Sequence, residues 1–208
     1  MWVRFRTRKV PEFLVGCSLA TAHQPAKAGI AGFNRGRESL PSQLGIYIGS
    51  KRVHVPYEFL LPKPDGNGGV IVDSGTYYRF MEKPVFEAVV EELDKHMGYY
   101  PRVRDFEAGS GLRPCYNYTP KQLKFVPKLT FQFKLWAMME LPFWNYFMGL
   151  RNTGVMCMAI VSYDVLEQAY TGPAIILGNY VQQNFYVEYD LVKDRLGIKK
   201  QNCDVRQY

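Results

Sequence analysis

One short stretch of this chain has the residues for acid–base chemistry. Asp73-Ser74-Gly75-Thr76 follows the apolar run Val70-Ile71-Val72, itself preceded by a turn at Asn67-Gly68-Gly69. A carboxylate at the end of a buried strand is costly unless it is hydrogen-bonded. The hydroxyls of Ser74 and Thr76, and the backbone N–H groups freed by a turn at Gly75, could supply those bonds. Gly75 has no Cβ, so the backbone can approach the carboxylate closely. The plainer interpretation is a polar strand end closed by a turn, and four residues alone do not choose between the two.

The elements that must hold this stretch are mostly strands. The aromatic share of 15%, together with many Val, Ile and Thr residues, favours β structure. Ile46 to Val55 reads as a hairpin turning at Gly49-Ser50, with His54 facing solvent. Leu61 to Asn67 is a Pro/Gly/Asp loop leading into the Asp73 strand. Leu129 to Phe133 alternates, and Met138 to Pro142 should lead into another strand. Val155 to Val161 is almost continuously apolar, as in a buried strand. Ile175-Ile176-Leu177-Gly178 is a short buried strand. Asn184 to Leu191 and Arg195 to Lys200 form a terminal hairpin. The clearest helix runs over 83–97. Pro84 lies in its first turn, and Val85, Phe86, Val89, Val90, Leu93 and Met97 fall on one face. Lys95 and His96 suit its last turn, and Gly98 is expected to stop it. The N-terminus alternates Val3, Phe5 and Thr7 with Arg4, Arg6 and Arg8, which reads as a half-buried strand and carries no apolar leader. Phe13 to Cys17 is a further short strand.

Several function classes are disfavoured. Net charge is +7, but the Lys and Arg residues are scattered and accompany no nucleic-acid-binding module. No run approaches the roughly 18 apolar residues of a membrane span. The glycine-rich 29–36 stretch lacks the Gly-Lys-Ser/Thr of a phosphate cradle. His23, His54 and His96 are too dispersed for a metal site, and no cofactor is expected. Glu87, Glu91, Glu92 and Asp94 lie away from the apolar stripe of their helix and form a solvated face. Cys17, Cys115, Cys157 and Cys203 allow three pairings and contain no Cys-x-x-Cys. Asn117-Tyr118-Thr119 is a glycosylation sequon.

The Asp73 stretch resembles the second active-site motif of pepsin-like aspartic proteases (peptidase A1), in the plant nepenthesin-like branch. Other segments follow in matching order. They are Phe13-Leu14-Val15-Gly16-Cys17-Ser18, Ala28 to Phe33 with Ser39 to Leu44, Leu112-Arg113-Pro114-Cys115-Tyr116, and Ile175 to Asn179 with Asn184-Phe185 and Glu188-Tyr189-Asp190. The resemblance implies a mostly β fold, the C-terminal lobe of a pepsin-like acid protease over 46–203. Residues 1–45 would be a truncated remnant of the N-terminal lobe and 204–208 a tail. At Leu44-Gly45-Ile46 the resemblance skips a stretch that family members carry.

The resemblance also implies roles. Asp73 would be the second catalytic carboxylate, supported by Ser74, Gly75 and Thr76, with Thr76 as a lobe-bridging hydroxyl. Cys115 would pair with Cys157, and Cys17 with Cys203. The substrate would be a polypeptide and the compartment extracellular or vacuolar. Two carboxylates sharing one proton and one water carry out this chemistry, because close like charges cannot both ionise. No other Asp of these 208 residues precedes Ser-Gly or Thr-Gly. The expectation is therefore an aspartic endopeptidase by family that is inactive as a monomer and needs an N-terminal lobe, or a second copy, to complete its site. The alternative is a non-catalytic relative acting as an inhibitor or recognition protein for cell-wall glycoside hydrolases.

Overall fold

The computed structural model describes residues 44–76, 79–133, 137–150, 152–163, 171–190 and 195–203. The expected N-terminal strands, the glycine-rich 29–36 stretch, Cys17, His23 and the 204–208 tail lie outside the described residues.

The chain enters as β1 (Gly45–Ile48) and reverses at Gly49-Ser50 into β2 (Lys51–Arg52). The expected hairpin is present but its second strand is short. His54 lies beyond it, exposed. One helical turn, α1 (Tyr57–Leu60), leads to the loop before β3 (Val70–Val72). Next come β4 (Arg79–Met81) and α2 (Lys83–His96). The stripe Val85, Phe86, Val89, Val90, Leu93 and Met97 is buried as its spacing predicted. The stop differs in mechanism from the expectation. Met97 caps the helix, its N–H donating to the Leu93 and Asp94 carbonyls, and Gly98 takes no left-handed angle.

A short helix that periodicity did not indicate, α3 (Arg104–Ser110), ends at Gly111, whose φ of +71° is left-handed. Then follow β5 (Cys115–Asn117), a 3-10 turn at Pro120–Phe125, β6 (Leu129–Gln132) and β7 (Met138–Leu141). Met138–Leu141 is thus itself a strand, closed by Pro142. A second 3-10 turn, Phe143–Asn145, precedes β8 (Phe147–Gly149).

The apolar run 155–161 is not one strand. It divides at Ala159 into β9 (Val155–Met158) and β10 (Ile160–Ser162). These belong to different sheets, and the Ala159 amide at the switch donates to the Tyr146 carbonyl (2.9 Å). Both strands are mostly buried, so nothing in hydropathy marks the break. The chain closes with β11 (Ile175–Leu177), α4 (Asn179–Gln182) and the hairpin of β12 (Phe185–Asp190) with β13 (Arg195–Lys200). The hairpin pairs in the expected register region, from Phe185 opposite Lys200 to Asp190 opposite Arg195.

Among the described residues the strands form four sheets. Two are antiparallel, in the orders β2-β1-β6-β7 and β5-β9-β8. The third is mixed, in the order β10-β4-β11-β3, and the fourth is the β12–β13 hairpin. One apolar cluster joins Ile46 and Phe131 of the β2-β1-β6-β7 sheet, the α2 stripe, Met81 and Ile175 of the mixed sheet, and Phe147 and Met158 of the β5-β9-β8 sheet.

Cys115 lies directly opposite Cys157 across β5 and β9, and a disulfide joins them, with Cα atoms 4.0 Å apart. Such closely spaced antiparallel pairs exchange no ladder bonds. The Cys115 amide is accordingly free to donate to Glu107 Oε1 (2.8 Å). The bridge closes a sequence separation of 42 residues. Replacing both cysteines by alanine should cost about 2–4 kcal/mol, read as a fall in urea midpoint. The Cys17–Cys203 pairing has only its Cys203 end within the described residues, exposed and free.

Candidate functional site: the Asp73 loop

The site is built by a crossing of strands. β3 and β11 run parallel, Val72 opposite Leu177, and β11 lies between β3 and β4. The chain leaving β3 must therefore pass over the end of β11, and Asp73 is the first residue of that passage. Its amide continues the parallel pairing by donating to the Leu177 carbonyl (3.1 Å).

The approach to β3 is fixed by glycine. Gly68 has φ +72°, and a Cβ there would lie 2.4 Å from the Leu61 carbonyl oxygen. Only glycine fits both demands. Its amide donates to the Gly172 carbonyl (2.9 Å), and the Gly172 amide donates to Asn67 Oδ1 (2.7 Å). The Asn67-Gly68-Gly69 turn read from the sequence is thus tied to the segment that enters β11.

Asp73 is 3% exposed. Its Oδ1 accepts from the Gly75 amide (2.8 Å) and its Oδ2 from the Thr76 hydroxyl (2.5 Å). A buried carboxylate thus receives one bond on each oxygen. Gly75 supplies the backbone donor expected of it. Thr76, to which the resemblance gives a bridging role, is bonded within this chain as follows. Its hydroxyl donates to Asp73 itself, its amide donates to the Asp73 carbonyl (3.4 Å), and its carbonyl accepts from the Asn179 amide (2.7 Å). Ser74 is exposed. It is the hydroxyl that this loop presents outward.

Thr76→Val keeps the shape and removes the donor. It should destabilise the fold by about 1–3 kcal/mol, the cost of leaving a buried acceptor short of a bond, in a urea titration at neutral pH. Ser74→Ala, on the exposed side, should stay within about 0.5 kcal/mol.

The sequence reading gave no role to several residues around the loop. The phenol of Tyr189, on β12, is held above the usual tyrosine range by burial, with the negative charge of Asp73 adding to it. The Asn179 amide of α4 donates to the Thr76 carbonyl and the Gln182 side chain to the Leu177 carbonyl, while the buried Asn145 holds the Val181 and Gln183 carbonyls. The only signal for these residues was their nearness in sequence to the Ile175–Gly178 strand and the Asn184–Asp190 segment, and Asn145 had none.

A separate cavity of about 260 Å³ opens beside β1, β2 and α1, lined by Leu44, Ile46, Arg52, His54 and Tyr57 among others. It contains neither Asp73 nor its partners. An exposed imidazole without a nucleophile is a weak catalytic group, so the chemistry is sought at the carboxylate. Among the described residues no cluster of three His, Cys, Asp or Glu side chains is arranged to hold a metal ion, and no helix is long and apolar enough to cross a membrane.

The family model described as Xylanase inhibitor C-terminal matches residues 43–200. The chain belongs to this family. It is also similar to a probable aspartyl protease of Arabidopsis thaliana, 34% identical over 169 residues, covering 76% of this chain and 34% of that protein. It is similar to aspartic proteinase nepenthesin-1 of Nepenthes gracilis, 30% identical over 162 residues, again covering 76% and 34%. The chain thus spans about a third of the length of these curated relatives.

Among solved structures, the crystal structure of edgp overlays with a TM-score of 0.66 at 19% identity, over 88% of this chain and 41% of that one. Conglutin gamma, a basic 7S globulin from lupine seeds, overlays at 0.59 and 18% identity, over 79% and 37%. These likenesses establish the fold, a mostly β architecture of the pepsin-like kind. The resemblance to plant aspartic proteases is therefore correct at the level of family and fold over the matched residues 43–200.

Proposed function

We propose that this chain is the C-terminal lobe of a plant aspartic endopeptidase, with Asp73 as one of the two carboxylates that activate water. The observation that carries the reading is the buried Asp73, gripped on one oxygen by the Gly75 amide and on the other by the Thr76 hydroxyl. Donors on both oxygens hold the carboxyl in one orientation, as a proton-sharing partner must be held. Ser74, exposed beside it, is the hydroxyl available to a facing lobe. Residues 46–203 form this lobe. The second carboxylate comes from an N-terminal lobe, and the substrate is a polypeptide. The compartment is extracellular or vacuolar, in keeping with the Cys115–Cys157 bridge. Asn117, exposed at the end of β5, is the site for an N-linked glycan there.

The test is complementation. The purified chain is mixed with a separately produced N-terminal lobe of nepenthesin-1 and assayed on a peptide at acid pH. Pepstatin-sensitive cleavage that needs both partners, and that disappears with Asp73→Asn, supports the reading. A folded, associated pair without cleavage overturns it.

The family description itself favours a second reading, a non-catalytic recognition protein for a xylanase or a similar wall enzyme. The intact Asp73-Ser74-Gly75-Thr76 argues against it, since a recognition protein has no need of a gripped carboxylate. Capture of a purified xylanase by the immobilised chain would favour it over proteolysis.

A further inference from the structure

Asn145 is 2% exposed and closes the Phe143–Asn145 turn, far in sequence from Asp73. Its side-chain amide donates twice, to the Val181 carbonyl (2.8 Å) and to the Gln183 carbonyl (2.6 Å). Both acceptors lie at the end of α4, a helix of four residues. A helix this short has no stability of its own and keeps its place through outside contacts. The other end of α4 reaches the Asp73 loop. The Asn179 amide donates to the Thr76 carbonyl (2.7 Å), and Thr76 in turn donates to Asp73 Oδ2. The Gln182 side-chain amide donates to the Leu177 carbonyl (2.9 Å), the same oxygen that accepts from the Asp73 amide.

We infer that Asn145, acting through α4 and Gln182, is a positioning residue for the Asp73 carboxylate. It touches neither Asp73 nor Thr76. It clamps the far end of α4, and α4 holds both the carbonyl of the residue that grips the carboxylate and the carbonyl that anchors the carboxylate's own amide. The side chain of an aromatic-rich turn thereby controls how firmly the loop is held. The inference rests on the proposed role of Asp73, yet its consequence is a property of the loop that exists without substrate or a second lobe.

The experiment is native-state hydrogen exchange, by NMR, on the purified chain without substrate. Asn145→Leu keeps the volume and removes both donors. The amides of Asp73 and Asn179 should exchange roughly 10–100-fold faster, the factor expected when two buried hydrogen bonds are lost. Amides of β1 and of the middle of α2 should change far less. Val89→Ala, in the α2 stripe, is the comparison, because a structural loss elsewhere speeds all globally protected amides alike. An Asn145→Leu profile as uniform as that of Val89→Ala overturns the inference.

Should Asn145→Leu fail to fold, Gln182→Ala removes the next link of the proposed chain, the bond to the Leu177 carbonyl, from a half-buried side chain. It must then speed exchange at Asp73 selectively, and unchanged exchange there overturns the inference. Since exchange is read without catalysis, failure of the complementation assay leaves this result standing, and the reverse is also true.

Discussion

Purified alone, this chain is expected to cut no peptide at acid pH. The reason is stoichiometric. The proposed reaction needs one ionised carboxylate to take a proton from water and one protonated carboxyl to polarise the scissile carbonyl. These 208 residues hold a single Asp-Ser-Gly, and its carboxylate is 3% exposed and bonded to its own loop. With one member of the pair missing, the loss reaches about 10²–10⁴-fold for each acid–base role removed. The measurement is cleavage of a fluorogenic peptide across a concentration series, with sedimentation of the same samples. A rate at the level of the blank, unchanged by Asp73→Asn, is the expected result. If two copies met face to face, specific activity would climb with concentration in step with dimer and vanish in Asp73→Asn. Pepstatin-sensitive cleavage by the monomer, lost in Asp73→Asn, would sink the requirement for a second carboxylate.

What the sequence made legible follows a physical division. Patterns carried by one element were readable. The α2 stripe is a local periodicity, and each of its members is buried. The Asn67-Gly68-Gly69 turn and the Val70–Val72 strand are local as well. So is the carboxylate grip, since Gly75 and Thr76 lie two and three residues from Asp73. Features that depend on which elements meet were not readable. Val155 to Val161 is apolar throughout because both halves are buried, and the change of sheet at Ala159 arises from packing partners far along the chain. The bond that holds the Thr76 carbonyl comes from the Asn179 amide, in another segment. Asn145 reads as a polar residue among aromatics until α4 is placed against it. The family likeness supplied the Cys115–Cys157 pairing that spacing left open, because it carries information about which strands are neighbours.

Arg102→Met should be among the most damaging single changes to stability, and its effect should depend on pH. Arg102 sits between α2 and α3 and ties three elements together. Its Nε donates to Glu107 Oε1 (2.7 Å), its Nη2 to Glu107 Oε2 (3.2 Å) and its Nη1 to Asp94 Oδ2. Tyr116 donates to the other Asp94 oxygen, and the Cys115 amide shares Glu107 Oε1. The Arg102 and Glu107 side chains are 19% and 11% exposed, whereas Asp94 is 36% exposed. Burial alone would raise the Glu107 carboxyl. The Arg102 guanidinium and the Cys115 amide outweigh it and hold the group below the ordinary glutamate value of 4.5.

A depressed carboxyl contributes stability above its unfolded value, and that contribution is lost as pH falls through the folded value. Removing Arg102 leaves a mostly buried Glu107 without its cation. Breaking a fully buried pair costs about 3–5 kcal/mol, and the exposed Asp94 arm places this case near the lower end. At pH 7 the urea midpoint should therefore fall by the equivalent of about 3 kcal/mol. As pH falls the difference should narrow, beginning above the ordinary glutamate value of 4.5, because burial without Arg102 raises the variant's Glu107 carboxyl, which takes up a proton so that the uncompensated charge disappears. A gap of the same size at pH 7 and pH 3 would show that Arg102 acts by packing its stem rather than by its charge. The outcome bears on function as well, since the proposed chemistry operates at acid pH, where this network is weakest and the Cys115–Cys157 bridge beside it must hold β5 to β9.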